Sequence, residues 1–151
     1  MKISERPSFH SMNIKNDIAK LAEKYHLTAI YAFGSRCLDV VAMLEGTKTS
    51  AGDSASDIDI GVLLPHGTRM DIKEKVRITA ELEDLLRVER VDLLVLQEAD
   101  PFLAANIIRG EKIYCNNEDI VDEYELYVLR RAGDLIPLEE ERIRLILKKD
   151  P

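Results

Sequence analysis

The sequence predicts an α/β fold, a single sheet with helices packed on it. Three observations carry that expectation. Apolar residues recur at helical steps of three or four around residues 14–25 and 71–87. Residues 57–64 instead alternate with the period of two that marks a strand. Finally, the helical and strand-like segments interleave in the order α-β-α-β-α-β-α, which gives a sheet flanked by helices.

The elements follow in order. Residues 1–12 read as a loose lead-in, polar and broken by Pro7. Ile14, Ile18, Leu21 and Tyr25 mark one face of a first helix, with Asn13 as its cap. Residues 28–33 form a short buried strand that stops at Gly34-Ser35, and a helix follows from Arg36 to about Glu45. Residues 46–56 hold two Gly, three Ser and two Thr and read as a loop. The strand from Asp57 to Leu64 sets Asp57, Asp59 and Gly61 on one side and Ile58, Ile60 and Val62 on the other. A helix over Asp71–Arg87 is expected to bury Ile72, Val76, Leu82, Leu85 and Leu86. Val91–Leu96 is a strand, nearly all aliphatic apart from Asp92. Asp100-Pro101 opens a helix and Gly110 closes it. A short strand at Lys112–Cys115 precedes a helical segment from Asp119, broken or bent near Gly133 and Pro137.

With 151 residues the chain suits one domain spanning 1–151, of which 117–151 is a helical C-terminal segment. A formal net charge of -7 argues against gripping a long polynucleotide, which calls for a basic surface. A small anionic ligand remains compatible if a cation bridges the two negative partners. Cys37 and Cys115 stand in no C-x-x-C pattern, and His10, His26 and His66 fall at no zinc-ligand spacing. With no membrane-length apolar run and no secretory signal pattern, the expected location is the cytoplasm.

Three features carry chemistry. Gly34-Ser35 ends a strand just before a helix, where a bare backbone and unpaired N–H groups can cradle phosphate. Asp57 and Asp59 share one face of a strand. Asp92 interrupts an aliphatic strand and needs a partner there. Each has a plainer reading when taken singly: a turn, an edge strand, and a salt bridge from Asp92 to Arg90 or Arg87. Together they say more. Two carboxylates about 4 Å apart repel by roughly 4 kcal/mol at an effective dielectric near 20, so a converging trio implies a cation or bound protons. Hard oxygen ligands favour magnesium shared with substrate phosphates, and two such ions suit an in-line phosphoryl displacement. The rival phosphate motifs G-x-x-x-x-G-K-[ST] and G-x-G-x-x-G are missing from the sequence, as is the hydrolase elbow G-x-S-x-G.

Phe33-Gly34-Ser35-Arg36, Ser56-Asp57-Ile58-Asp59-Ile60 and Val91-Asp92-Leu93 resemble the signature of the DNA polymerase beta-like nucleotidyltransferase superfamily, most closely its minimal MNT type. Ile107-Ile108-Arg109-Gly110-Glu111-Lys112-Ile113-Tyr114 is similar to the segment after that group's third strand. The resemblance covers roughly residues 14–116 and implies a small mixed sheet with flanking helices. It further implies transfer of a nucleoside monophosphate, AMP from ATP, to a hydroxyl. By position Gly34, Ser35 and Arg36 would hold the triphosphate, and Asp57, Asp59 and Asp92 would be the catalytic, magnesium-binding set. Many MNT-type proteins are antitoxins that neutralise a HEPN-domain toxin by adding AMP to one of its tyrosines, so such a toxin is the implied partner. One departure stands out. Residues 36–56 separate Ser35 from Asp57, roughly twice the family's usual spacing, an excess that a surface loop tolerates. That loop either covers the nucleotide or contacts the acceptor, or it is passive.

The C-terminal residues Tyr124, Tyr127, Val128, Leu135, Ile143, Ile146 and Leu147 are expected to pack back on the domain, with a partner-docking surface as the alternative. Arg130 and Arg131 read as solvated. Two other functions compete with AMP transfer to a protein. One is nucleotidyl transfer to a small molecule of the aminoglycoside kind, for which the chain is short. The other is a non-catalytic module that neutralises its partner by occlusion.

Overall fold

The structure, a computed structural model, describes residues 6–48 and 57–148. Its elements are α1 (Arg6–Lys24), β1 (Ala29–Phe33), α2 (Cys37–Leu44), β2 (Ile58–Leu63), α3 (Ile72–Leu86), β3 (Val91–Val95), a 3-10 turn (Leu96–Glu98), α4 (Pro101–Ile108), β4 (Glu111–Cys115) and α5 (Glu118–Lys148). The strands form one mixed sheet in the order β3-β2-β1-β4. β1 is antiparallel to both β2 and β4, and β2 is parallel to β3.

Strand alternation builds two cores. On one face Ile30, Ala32, Ile58, Ile60, Val62, Val91, Leu93 and Val95 pack with Ile14 and Ile18 of α1, Val40 and Met43 of α2, and Ile78, Leu82 and Leu86 of α3. On the other, Ala29, Tyr31, Phe33 and Leu63 pack with Ala104, Ala105 and Ile107 of α4 and Val121, Val128 and Ala132 of α5. Gly61 lies on this second face because α4 passes close above it. A Cβ there would stand 2.5 Å from Ile107 Cγ2. Asp100 caps α4 as expected, accepting from the N–H groups of Phe102 at 2.9 Å and Leu103 at 3.0 Å.

Four expectations are corrected. The lead-in does not run to residue 12 and Asn13 is no cap, since α1 begins at Arg6. Pro7 sits in the first helical turn, where its missing N–H has no intrahelical partner to lose. On α3, Ile72 and Val76 are 81% and 62% exposed rather than buried. The apolar arc of this helix is wider than the strip that meets the sheet, and the strip is Ile78, Leu82 and Leu86. Of the break or bend expected near Gly133 and Pro137, the break is absent, since α5 runs continuously through both. The proline removes one N–H, and the carbonyl four residues back belongs to a glycine, which adds no side chain to the crowding. Lastly, only the first half of α5 packs back. Val128 is buried and Tyr124 and Leu135 partly so, whereas Tyr127, Ile143, Ile146 and Leu147 are largely exposed. The expected loop over 46–56 lies, beyond Lys48, outside the described residues.

Candidate active site

β2 and β3 run parallel with Asp59 opposite Asp92. Register partners point to the same face, so the two carboxylates stand side by side across neighbouring strands. Asp57 lies just before β2, two residues from Asp59, on the same side by strand alternation. The electrostatics agree with this convergence. Partial burial raises the Asp59 carboxyl above its ordinary value, and the negative charges of Asp92 and Asp57 raise it further.

Across the other edge of β2, Phe33 is the register partner of Asp59, so the turn after β1 begins beside the carboxylates. Gly34 there has a φ of +79, and a Cβ on it would come 2.3 Å from Asp59 Oδ2. Glycine is thus required twice over, by a left-handed backbone and by the carboxylate against it. Ser35 is exposed in the following turn, directly ahead of α2. The start of α2 has no side-chain cap, and its Cys37 and Asp39 N–H groups donate to the Gly34 carbonyl at 3.3 Å and the Arg36 carbonyl at 3.1 Å.

Arg36 is only 6% exposed, and its Nε donates to Asp39 Oδ2 at 3.1 Å. Lys48 Nζ donates to the other oxygen of Asp39 at 2.7 Å. Lys48 and Arg36 together hold the Asp39 carboxyl below the usual range. This network ties the start of α2 to the residues beyond its end, and sequence spacing did not reveal it. Arg90 also departs from the plain reading of the sequence: its Nε lies 3.5 Å from Asp57 Oδ1. It therefore offsets charge at the edge of the trio, pairing with Asp57 rather than Asp92. Arg130 and Arg131 are exposed, with Arg131 over the ring of Tyr127 at 5.5 Å.

Among the described residues no group of three or more His, Cys, Asp or Glu is gathered tightly enough to hold a metal ion alone. Magnesium does not require such a cage, because it is usually held by one or two carboxylates with the remaining positions taken by water and phosphate oxygens. Hard oxygen donors, mutually repelling and beside an open backbone turn, fit that ion.

A mixed sheet with paired aspartates across two parallel strands, next to a Gly-Ser turn, defines a nucleotidyltransferase fold. The polymerase beta nucleotidyltransferase family model matches residues 16–119, and the chain belongs to that family. Three solved structures share the fold. A toxin–antitoxin with AMP-PNP is 23% identical with a TM-score of 0.65, covering 88% of this chain and 98% of that one. A tri-AMPylated Shewanella oneidensis HEPN toxin in complex with MNT antitoxin is 21% identical with a TM-score of 0.63, covering 91% and 98%. The toxin–antitoxin MntA-HepT is 20% identical with a TM-score of 0.63, covering 90% and 98%. No curated protein matches the chain. Among the described residues no helix is long and apolar enough to cross a membrane.

Proposed function

We infer that this nucleotidyltransferase moves AMP from Mg-ATP to a hydroxyl of a protein, a tyrosine of a HEPN-domain toxin, and so acts as an antitoxin in the cytoplasm. The observation that carries the reading is the register of Asp59 against Asp92 with the Gly34 backbone alongside. The fold likeness to MNT antitoxins, one of them in complex with an AMPylated HEPN toxin, supports the choice of acceptor. One domain is proposed to do this, since both cores share the one sheet.

Gly34, Ser35 and the start of α2 receive the triphosphate, with backbone N–H groups and the Ser35 hydroxyl donating to phosphate oxygens. Arg36, held by Asp39, shapes that turn and adds positive charge near it. Asp57 and Asp59 bind magnesium, and Asp92 completes the set and faces the acceptor. Bound there, magnesium neutralises the polyphosphate charge and favours ionisation of the acceptor hydroxyl. The acceptor oxygen attacks the α-phosphorus of ATP in line with the leaving group. A new O–P bond forms as the bond between the α-phosphorus and the bridging oxygen to the β-phosphate breaks. Pyrophosphate departs, and the hydroxyl proton passes to the Asp92 carboxylate.

The test is intact mass of a HEPN-domain protein encoded beside this chain, after incubation with the chain and Mg-ATP. A nucleotide-sized gain is expected with the wild type and none with Asp57→Asn plus Asp59→Asn. Tight binding without any gain would replace transfer by occlusion, a reading that the exposed apolar side chains on the second half of α5 favour. Gain on an added aminoglycoside alone would make the chain a small-molecule enzyme.

A further inference from the structure

The last turn of α4 overhangs the sheet face on which the carboxylates stand. A Cβ on Gly61, two residues along β2 from Asp59 and on the same side, would lie 2.5 Å from Ile107 Cγ2. Three residues after Ile107, Gly110 is pressed against the end of β1, where a Cβ would lie 2.3 Å from the Ala32 carbonyl oxygen and 2.9 Å from Phe33 Cβ. Arg109 stands between these two fixed points, at the C-terminal end of α4. Phe33 is the register partner of Asp59, so two strand spacings, roughly 10 Å, separate Gly110 from Asp59. The Gly34-Ser35 turn, which ends β1, lies between them. Other cations around this end of the sheet are engaged. Arg36 and Lys48 share Asp39, Arg90 pairs with Asp57, and Lys112 pairs with Glu125. On α5, Arg131 lies over the Tyr127 ring, and Arg130, two residues from both buried Val128 and buried Ala132, is on the outer side of the helix. Arg109 is exposed, and among the described residues its side chain has no hydrogen-bond or ion-pair partner. Glu111, the nearest acid in sequence, is the register partner of Ala32 and turns with it to the opposite face of the sheet.

We propose that Arg109 binds the β- and γ-phosphates of the nucleotide, the group that departs as pyrophosphate. The inference rests on the transfer reading above and names the residue that makes the site select a triphosphate. Charge calls for such a group. The carboxylates and a triphosphate together carry more negative charge than one or two divalent cations offset, and Arg90 answers only Asp57. A guanidinium adds fixed positive charge and matches phosphate oxygens with two parallel N–H donors. Position decides which phosphates it meets. With the α-phosphate at the carboxylates, the phosphates beyond it cross the Gly34-Ser35 turn toward the end of α4. Pyrophosphate gains negative charge as its bond to the α-phosphorus breaks, and the guanidinium offsets that charge. A cation at a helix C-terminus also complements the helix dipole. That plainer role acts on stability and leaves nucleotide affinity alone, so the two are separable.

The experiment titrates the full chain, with magnesium, against AMP-PNP and against AMP, comparing wild type with Arg109→Gln and Arg109→Lys. The position is exposed, so both variants fold. Arg69→Gln, also exposed and beyond the far end of β2, controls for the change in net charge. Arg109→Gln should raise the Kd for AMP-PNP about tenfold or more, the loss of a charge-assisted hydrogen bond, and leave the Kd for AMP within about twofold. Arg109→Lys should recover part of the loss, since the charge remains and the fork does not. Arg69→Gln should move neither Kd by more than about twofold, because salt screens charges at that distance. In turnover with the adjacent HEPN-domain protein, Arg109→Gln should raise the KM for ATP and not the KM for the acceptor. Unchanged AMP-PNP affinity in Arg109→Gln, with the wild type transferring AMP, overturns the proposal and leaves the transfer reading standing. Arg109-dependent binding of AMP-PNP with no transfer by the wild type keeps the phosphate contact and removes the transfer reading. Three other results would also overturn the proposal. A raised acceptor KM at unchanged AMP-PNP affinity gives Arg109 to the acceptor. A lowered melting temperature alone gives it to the helix end. Equal losses for AMP and AMP-PNP place it at the nucleoside monophosphate.

Discussion

Asp59 stands between Asp92, its register partner, and Asp57, two residues before it on the same strand side, and partial burial first, then the charges of Asp92 and Asp57, raise its carboxyl above the ordinary 3.8. A raised acid contributes stability that is fully present below the unfolded pKa and is lost as pH rises through the folded one. Metal-free wild type should therefore be less stable than Asp59→Asn at neutral pH. The difference should be about 1 kcal/mol, the size of one like-charge contact in a solvated cleft. Thermal melts without metal should show that deficit narrowing from pH 7 to pH 4, and an unchanging gap would refute the coupling. The same substitution should lower AMP transfer about a hundredfold or more, since it weakens the charge that holds the cation. Gly34 tests the other side of the site. Gly34→Ala places a methyl group against Asp59 Oδ2 in a left-handed backbone. A stability loss of about 1–2 kcal/mol is expected from the backbone, with a drop in transfer of more than tenfold because the carboxylate must move. Denaturant titration alongside turnover separates the two effects.

At the scale of elements, β2 and β3 position the chemistry while the helices set what surrounds it. α4 is held by the Asp100 cap, which follows Asp92 closely in sequence but caps a helix that carries none of the site's aspartates. Asp100→Ala should cost about 1 kcal/mol in chemical denaturation and leave transfer per folded molecule unaltered. α5 is anchored at its first half, where Tyr31 donates to the Glu125 carboxylate and Lys112 donates to the same oxygen at 3.2 Å. Burial and that carboxylate push the Tyr31 hydroxyl well above its ordinary pKa, so it stays a donor at working pH. Beyond Gly133 the helix carries Pro137 with mostly exposed side chains around it. A helix-interior proline is about 3 kcal/mol less favourable than alanine. Pro137→Ala should thus deepen the helical circular-dichroism signal and slow amide exchange over 138–148. No change in either would mean that the bonds around the proline are already made up elsewhere.

The whole molecule is acidic, with a formal net charge of -7, and its chemistry handles an anionic substrate. In the proposed reaction the two are compatible, because a polyphosphate would meet a local arrangement of backbone donors and bridging cation, not the mean field of the surface. A long nucleic acid would meet that mean field. Gel-shift titration with single-stranded DNA at physiological salt should show no retardation at micromolar protein, and a tight shift would contradict the charge argument. The two cores explain the site's placement. One face of the sheet is sealed by α1, α2 and α3. On the other face α4 and α5 cover Tyr31 and Leu63, while Asp92 remains exposed and Asp59 only half-buried.

Much of this was legible along the chain because it is local. Period two displayed β2 and put Asp57 and Asp59 on one side. Turn and cap chemistry marked Gly34 and Asp100. Local pattern failed where a neighbour decides the outcome. Pro7 reads as a break until its place in a first turn is known, and Ile72 and Val76 read as core until α3 is seen to meet the sheet through another strip. Parallel pairing set Asp92 beside Asp59, gave Arg90 to Asp57, and left β3 as the outermost strand. Residue types and their spacing determined which groups are available for chemistry. Only the packing of distant segments decided which of them meet, because burial, register and charge coupling are properties of pairs that the chain holds far apart.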